Sequence, residues 1–165
     1  MKKIIICFCL SLSLLLQSCI WRTNDDDIRI NPDNYKPVTM DRPAFENAVQ
    51  GGTFQTIANP GKIYIKDELM FISDVNKGFG VYNYSDPANP LPIGYIKIPG
   101  ATDIAVRNNN IYINQAVDLV ALQYHPASNT LTVISRNRNV FPQKLSPRGS
   151  VATILPNQIV IDWTL

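Results

Sequence analysis

The side chains of this sequence that could carry acid–base or metal chemistry are few and far apart. The 165 residues contain one histidine, His125, flanked by Tyr124 and Pro126. A histidine that activates a nucleophile needs a serine or cysteine beside it and an acid that orients its ring. Ser128 is close in sequence but lies in a segment typical of a turn. A single histidine without further nitrogen or sulfur ligands is not enough for an ordinary zinc site. We interpret His125 as a solvated loop residue.

Four aspartates fall at the ends of predicted strands or at the edges of loops. Such carboxylates can pair as catalytic acid and base, bind Ca²⁺, or accept hydrogen bonds from turn backbone, which is the commonest role. The sequence predicts no catalytic residue, no cofactor and no metal site. A carbohydrate-active or accessory enzyme domain that uses these carboxylates is the alternative. The four are Asp74, Asp86, Asp103 and Asp118.

Tyrosines recur through the predicted strands. An exposed row of them could stack on sugar rings, which leaves a glycan partner open beside a protein partner. Strand tyrosines more often pack against cross-strand neighbours and leave the hydroxyl at the rim. The tyrosines concerned are Tyr64, Tyr82, Tyr84, Tyr95, Tyr112 and Tyr124.

The N-terminus has the pattern of a signal peptide. Lys2 and Lys3 precede an apolar stretch, Ile4 to Leu16, which is shorter than the ~20 residues that span a bilayer. The segment Leu16-Gln17-Ser18-Cys19 resembles the bacterial lipobox. That resemblance implies cleavage after Ser18 and lipidation of Cys19, which would attach the protein to a membrane; a plain secretory signal and an uncleaved anchor helix are the alternatives.

The residues after Cys19 bear on its destination. In bacterial lipoproteins an aspartate directly after the lipidated cysteine favours retention in the inner membrane. This chain has Ile20 at that position, so the resemblance implies the outer membrane. The acidic run Asn24-Asp25-Asp26-Asp27 resembles the surface-export signal of some lipoproteins. It is equally typical of a solvated, flexible tether.

Composition excludes some functions. The two leader lysines account for the whole basic excess, so thirteen basic and thirteen acidic side chains follow it. A balanced charge does not drive nucleic-acid binding, and the basic tip Arg136-Asn137-Arg138-Asn139 is too small to do so. Cys7 and Cys9 belong to the leader, so the remaining domain must fold without a disulfide.

The rest of the chain predicts an all-β fold with a short N-terminal helix. The helix is expected from Arg42 to Val49, with Asp41 as its cap and Gly51-Gly52 as its stop. From Lys62 onward, short β-rich runs alternate with Gly, Asn, Asp and Pro turns, which favours antiparallel sheet.

The strand pattern then repeats. The run Ile63 to Asp67 aligns with Ile104 to Asn108, and Met70 to Ser73 aligns with Ile111 to Asn114, both at an offset of 41 residues. A period near forty with four short strands is typical of a β-propeller blade. A meander or a sandwich with similar spacing is the alternative.

Several of these segments resemble the LVIVD-repeat lipoproteins. The match covers roughly residues 35–142 and includes the loop Ser85-Asp86-Pro87-Ala88-Asn89-Pro90 and the core strand Val117 to Leu122. The resemblance implies a β-propeller-like fold on an envelope lipoprotein and little about activity. The chain departs from the family at Tyr82 and Tyr84, where aliphatic residues are favoured, and at the His125 loop.

These observations predict four segments: a lipoprotein signal peptide (1–18), a lipidated cysteine with a flexible tether (19–36), a lead-in segment with the short helix (37–61) and an incomplete β-propeller-like domain (62–165). The last should hold two four-stranded antiparallel blades and a partial third unit, formed by a hairpin of Val151 to Leu155 and Gln158 to Trp163. Val160, Ile161 and Trp163 would then lie on open sheet edges. The chain would be a truncated version of a longer propeller, or would associate with a second copy through those edges. We expect an outer-membrane lipoprotein that acts as a binding or scaffold module and is not an enzyme.

Overall fold

Strands dominate residues 34–165, which are the residues that this computed structural model describes. The signal segment, Cys19 and the acidic run Asn24–Asp27 lie outside that range, so the expectations for them stay predictions. The elements are β1 (Lys36–Asp41), α1 (Arg42–Asn47), β2 (Gln50–Gly52), β3 (Pro60–Lys66), β4 (Leu69–Asp74), β5 (Gly78–Asn83), β6 (Leu91–Lys97), β7 (Ala101–Arg107), β8 (Asn110–Gln115), β9 (Asp118–His125), β10 (Thr130–Asn137) and β11 (Gln158–Thr164).

Two antiparallel meanders of four strands form most of the fold. Strands β3 to β6 make meander 1, and β7 to β10 make meander 2. The first hairpin of each closes with two residues, and Asp67, Asn108 and Asn109 there have φ values of 53°, 49° and 65°. Asn and Asp tolerate this left-handed conformation, which tight hairpins require. The predicted antiparallel, mostly-β fold with a short helix is confirmed, and residues 34–165 contain no closed propeller.

The repeat is visible in the strand register. Ile63 lies opposite Ile72 in meander 1, and Ile104 lies opposite Ile113 in meander 2, 41 residues further on. Strand order within the two meanders is also the same. The two sheets are therefore built on the same pairing plan over their first two strands.

The meanders stack head to tail. One buried cluster joins Phe71 and Val81 of meander 1 to Ile113 and Leu122 of meander 2. The residue equivalent to Phe71 in the repeat is Tyr112, which lies on the opposite face of its sheet from Ile113. Meander 1 therefore packs against meander 2 through the face that carries Phe71. Meander 2 packs through the face that carries Ile113, which is the opposite face of the repeat unit. Across this interface the Val106 N–H donates to the Tyr64 hydroxyl at 3.2 Å.

The lead-in segment differs from the prediction. The helix ends at Asn47, not at Val49. Gly51 and Gly52 do not stop it but form β2, which pairs with the outer edge of β6. Gly51 is needed for close packing there, because a Cβ on it would lie 2.6 Å from the Asn129 carbonyl oxygen.

The expected C-terminal hairpin is wrong. Val151 to Leu155 form no strand, and β11 pairs with β1 instead, with Lys36 opposite Thr164 and Asp41 opposite Gln158. Val160 is fully buried, not at an open edge.

Residues 143 and 144 cover the second edge of β11. The Gln143 side-chain oxygen accepts a hydrogen bond from the Val160 N–H at 3.2 Å, and the Lys144 carbonyl accepts one from the Trp163 indole. Ile161 and Trp163 are only partly exposed. An edge covered in this way is less available for pairing with a second chain.

Candidate functional site

Asp74 is a buried structural carboxylate at the end of β4. It accepts hydrogen bonds from the Asn59 N–H at 3.0 Å and from the Tyr95 hydroxyl at 3.2 Å. Burial, followed by the negative charge of Asp74, raises the pKa of Tyr95 above its ordinary value. The Tyr95 hydroxyl therefore stays protonated and donates a hydrogen bond to the Asp74 carboxylate.

Asp118 is the most heavily bonded carboxylate of the described residues. Its Oδ2 accepts from Nη1 of Arg42 at 2.6 Å and of Arg136 at 2.8 Å, and its Oδ1 accepts from the Asn139 N–H at 3.0 Å. Burial opposes ionisation, but these bonds outweigh it and hold the pKa of Asp118 below its usual value. Both guanidinium groups also lie over the buried Phe45 ring, at 5.7 and 5.4 Å from its centroid.

The other two candidate aspartates, Asp103 and Asp86, form contacts at the protein surface. Asp103 forms an exposed ion pair of 2.7 Å with Lys62. Asp86 accepts from the Asn89 side chain and the Ala88 N–H, and these bonds lower its pKa. Within residues 34–165, the four aspartates share no partner, and no group of three or more potential metal ligands exists there.

His125 is exposed to solvent as expected, but it is the last residue of β9 and pairs with Thr130, so it does not lie in a loop. Its backbone carbonyl accepts from the Ser128 N–H. The Ser128 hydroxyl is 2.8 Å from that of Thr130, so its bonding is to a neighbouring hydroxyl in the turn.

The tyrosines do not form one exposed row. Tyr95 and Tyr124 are buried, and the Tyr124 hydroxyl donates to Asn129 Oδ1 at 2.6 Å. Tyr82 packs edge-on against Phe54, with ring centroids 5.4 Å apart. Several of these rings therefore support the core or its covering loops, as the structural interpretation expects.

The structure instead forms a cleft at one end of the meander interface, beside the β3–β4 and β7–β8 turns. Its volume is about 610 Å³, within the range of small-molecule sites. The floor is apolar and belongs to both meanders, whereas the rim is polar and comes from the two turns. The floor consists of Leu69, Phe71, Val106, Ile111 and Tyr124, and the rim of Lys66, Asp67, Glu68, Asn108 and Asn109.

This cleft could not be found from the sequence, because it exists only where the two sheets stack. A local signal was nonetheless present. Both turns are tight, and both fall at the same position of the repeat. Stacking of two repeats brings such turns to the same end of the interface.

Among residues 34–165 the only helix is α1, which is too short to cross a membrane. In comparisons with known proteins, no family model, no curated protein and no solved structure matches this chain.

Proposed function

We propose that this protein is an outer-membrane lipoprotein, anchored through Cys19, whose β domain is a binding or scaffold module without catalysis of its own. The cleft between the meanders is the binding site. The observation that carries this proposal is the composition of the cleft, an apolar floor inside a polar rim. That composition favours a small amphipathic ligand or an amphipathic edge of a protein or glycan partner.

The floor of the cleft is suited to binding because its side chains are already packed. Phe71 and Tyr124 are almost fully buried, and the Tyr64–Val106 hydrogen bond ties the two sheets together beside them. A preformed site loses little conformational entropy when a ligand binds.

The finer description of the fold belongs to the same proposal. We interpret the meanders as two propeller-like blades of the LVIVD kind, and the β1–β11 pair as the partial third unit. The shared register and the head-to-tail stacking support this interpretation. It predicts that any further blade would stack in the same direction.

Replacement of the lipidated cysteine tests the anchor. We expect Cys19→Ala to move the protein from the membrane fraction to the soluble fraction, since acyl chains contribute ~0.8 kcal/mol per buried CH₂. Fractionation and mass measurement of the N-terminus would show the change. A variant that stays in the membrane with its leader uncut would favour an anchor helix and contradict the lipoprotein proposal.

A neutral fluorescent probe tests the cleft. We expect Nile red to bind saturably to purified residues 19–165 and Leu69→Ser to weaken this binding about tenfold, because the variant makes the floor polar. Val151→Ser is the matched control, since Val151 is 73% exposed and does not line the cleft. Equal loss in both variants, or no saturable binding, would contradict the proposal, as would a hydrolytic activity abolished by Asp74→Asn.

A further inference from the structure

A second, smaller cavity lies where the end of β10 meets the start of β11. Its volume is about 300 Å³, and polar side chains make up most of its wall. It shares no residue with the cleft between the meanders. We call it the donor pocket, and its polar side chains are those of Arg42, Arg138, Asn139, Gln143, Asn157 and Gln158.

Three amide side chains of the donor pocket have their orientation fixed by the protein. The Gln143 Oε1 accepts from the Val160 N–H at 3.2 Å, and the Gln158 Oε1 accepts from the Leu155 N–H at 3.4 Å. The Asn139 Oδ1 accepts from Arg42 Nη2 at 2.8 Å. Only an amide oxygen can accept from these donors, so each amide has its NH₂ group left over.

The leftover NH₂ groups have no acceptor among residues 34–165. The Asn157 backbone carbonyl, another acceptor of the wall, is already bonded to the Arg42 N–H. The Arg138 guanidinium, 61% exposed, gives one N–H to Glu46 and keeps the others. The NH₂ groups of these three amides and the remaining N–H groups of Arg138 are therefore donors that the described residues do not use.

The charged side chains around the donor pocket are balanced in number. Arg42, Arg136 and Arg138 are opposed by two carboxylates, Asp118 and Glu46, and both of these are engaged by the arginines. The exposed Asp41 carboxylate, next to Arg42 and opposite Gln158, balances the third arginine. The charge that a ligand would meet is therefore that of Arg138 itself, which is the most exposed of the three arginines. A ligand that supplies several acceptors, one of them charged, fits the unused donors.

We propose that the donor pocket binds an anionic group, either a carboxylate or a phosphate. Arg138 supplies the charge, and the NH₂ groups of Asn139, Gln143 and Gln158 supply directed hydrogen bonds. The group would be free or carried on a larger molecule such as an acidic sugar. This site is independent of the cleft, so the failure of one proposal leaves the other standing.

Gln143→Glu and Gln158→Glu make a sharp test. Each keeps the oxygen that accepts the backbone N–H and replaces the NH₂ donor with a second, negatively charged oxygen. We expect each to weaken the binding of inorganic phosphate and of glucuronate about tenfold or more, because a donor becomes a repelling acceptor. Gln55→Glu makes the same charge change at a residue that lines another cavity and should leave the affinity unchanged.

Titration followed by ¹⁵N NMR gives a direct readout. In the wild-type protein, the side-chain NH₂ signals of Asn139, Gln143 and Gln158 should shift with phosphate, with glucuronate or with both, and not with glucose. Response to phosphate alone would favour a phosphate ligand, and response to glucuronate alone a carboxylate on a sugar. No shift with either anion, or equal weakening in the Gln55→Glu control, would overturn the proposal. If Gln143→Glu unfolds, Gln158→Glu and Arg138→Gln carry the test.

Discussion

Asp118→Asn is expected to lower the free energy of unfolding by about 3 kcal/mol. The Asp118 side chain is fully buried between two guanidinium groups. Removing its charge leaves Arg136 without an ion-pair partner and Arg42 with only Glu46, at 3.6 Å. Leaving a buried cation without its partner is more costly than removing a whole ion pair. Urea denaturation followed by fluorescence would measure the difference in midpoint.

The exposed ion pair of Asp103 provides the control for this result. Asp103→Asn should change the free energy of unfolding by less than about 1 kcal/mol, because Asp103 and Lys62 are both exposed to solvent. Equal losses in the two variants would mean that burial is not the cause. The ion pairs of Asp118 would then not stabilise the fold more than an exposed ion pair does.

The effect of Asp118 should also depend on pH in a defined direction. Its folded-state pKa is lowered, so its contribution is complete above the unfolded pKa of about 3.9 and is lost as the pH falls through the folded value. The gap in stability between the wild-type protein and Asp118→Asn should therefore narrow below about pH 4 and stay constant at neutral pH. A gap that widens on acidification would contradict this sign.

Gly78→Ala is expected to destabilise the fold by about 3 kcal/mol or to prevent folding. A Cβ at Gly78 would lie 2.0 Å from the Ile96 carbonyl oxygen, and backbone cannot move aside as a flexible side chain can. The residue also has a φ of 156°, which L-residues rarely adopt. Thermal melting and the yield of soluble protein would measure the effect.

Gly52→Ala is the matched control. Apart from Gly52 itself and its two chain neighbours, no heavy atom lies within 4 Å of the position that a Cβ would take there, so this change should alter stability by less than about 1 kcal/mol. If Gly78→Ala melted at the wild-type temperature, the close contact of β5 with β6 described above would be wrong.

The sequence was informative where structure is local. Strands β3, β4, β7 and β8 could be predicted because β-rich runs there are bounded by turn residues such as Asp67 and Asn108. Their spacing also showed the repeat. Each of these hairpins is closed by two residues, so pairing partners are adjacent in the chain.

Long-range pairing could not be predicted in the same way. The apolar pattern of β11 predicts a strand but does not identify its pairing partner. The sequence therefore favours the nearby run Val151 to Leu155, whereas the structure has β1. Gly51 and Gly52 predict a helix stop because glycine is common there. The role of Gly51 in close packing depends on Asn129, which is 78 residues further along the chain.

The residues of each candidate site are also far apart in the sequence, so the sequence does not show that they meet. Asp118 was recognised as a candidate, but Arg42 lies 76 residues away from it, and nothing in either segment indicates the other. The donor pocket requires the end of β10 and the start of β11 to meet. Residues 138–157 separate these ends, so its amides could not be assigned together from the sequence.

The pairing of β1 with β11 determines how the domain would respond to mechanical load. Lys36 and Thr164 lie opposite each other at one end of this pair, and Lys36 is the first residue of β1. A force that pulls Lys36 away from Thr164 would separate β1 from β11 one hydrogen bond at a time, starting from that end. Strands pulled apart in this unzipping direction yield at lower force than strands sheared along their length. The two meanders, whose strands pair independently of β1, would stay intact while this pair opened. In the lipoprotein that we propose, β1 would then be an extensible joint on the N-terminal side of the cleft.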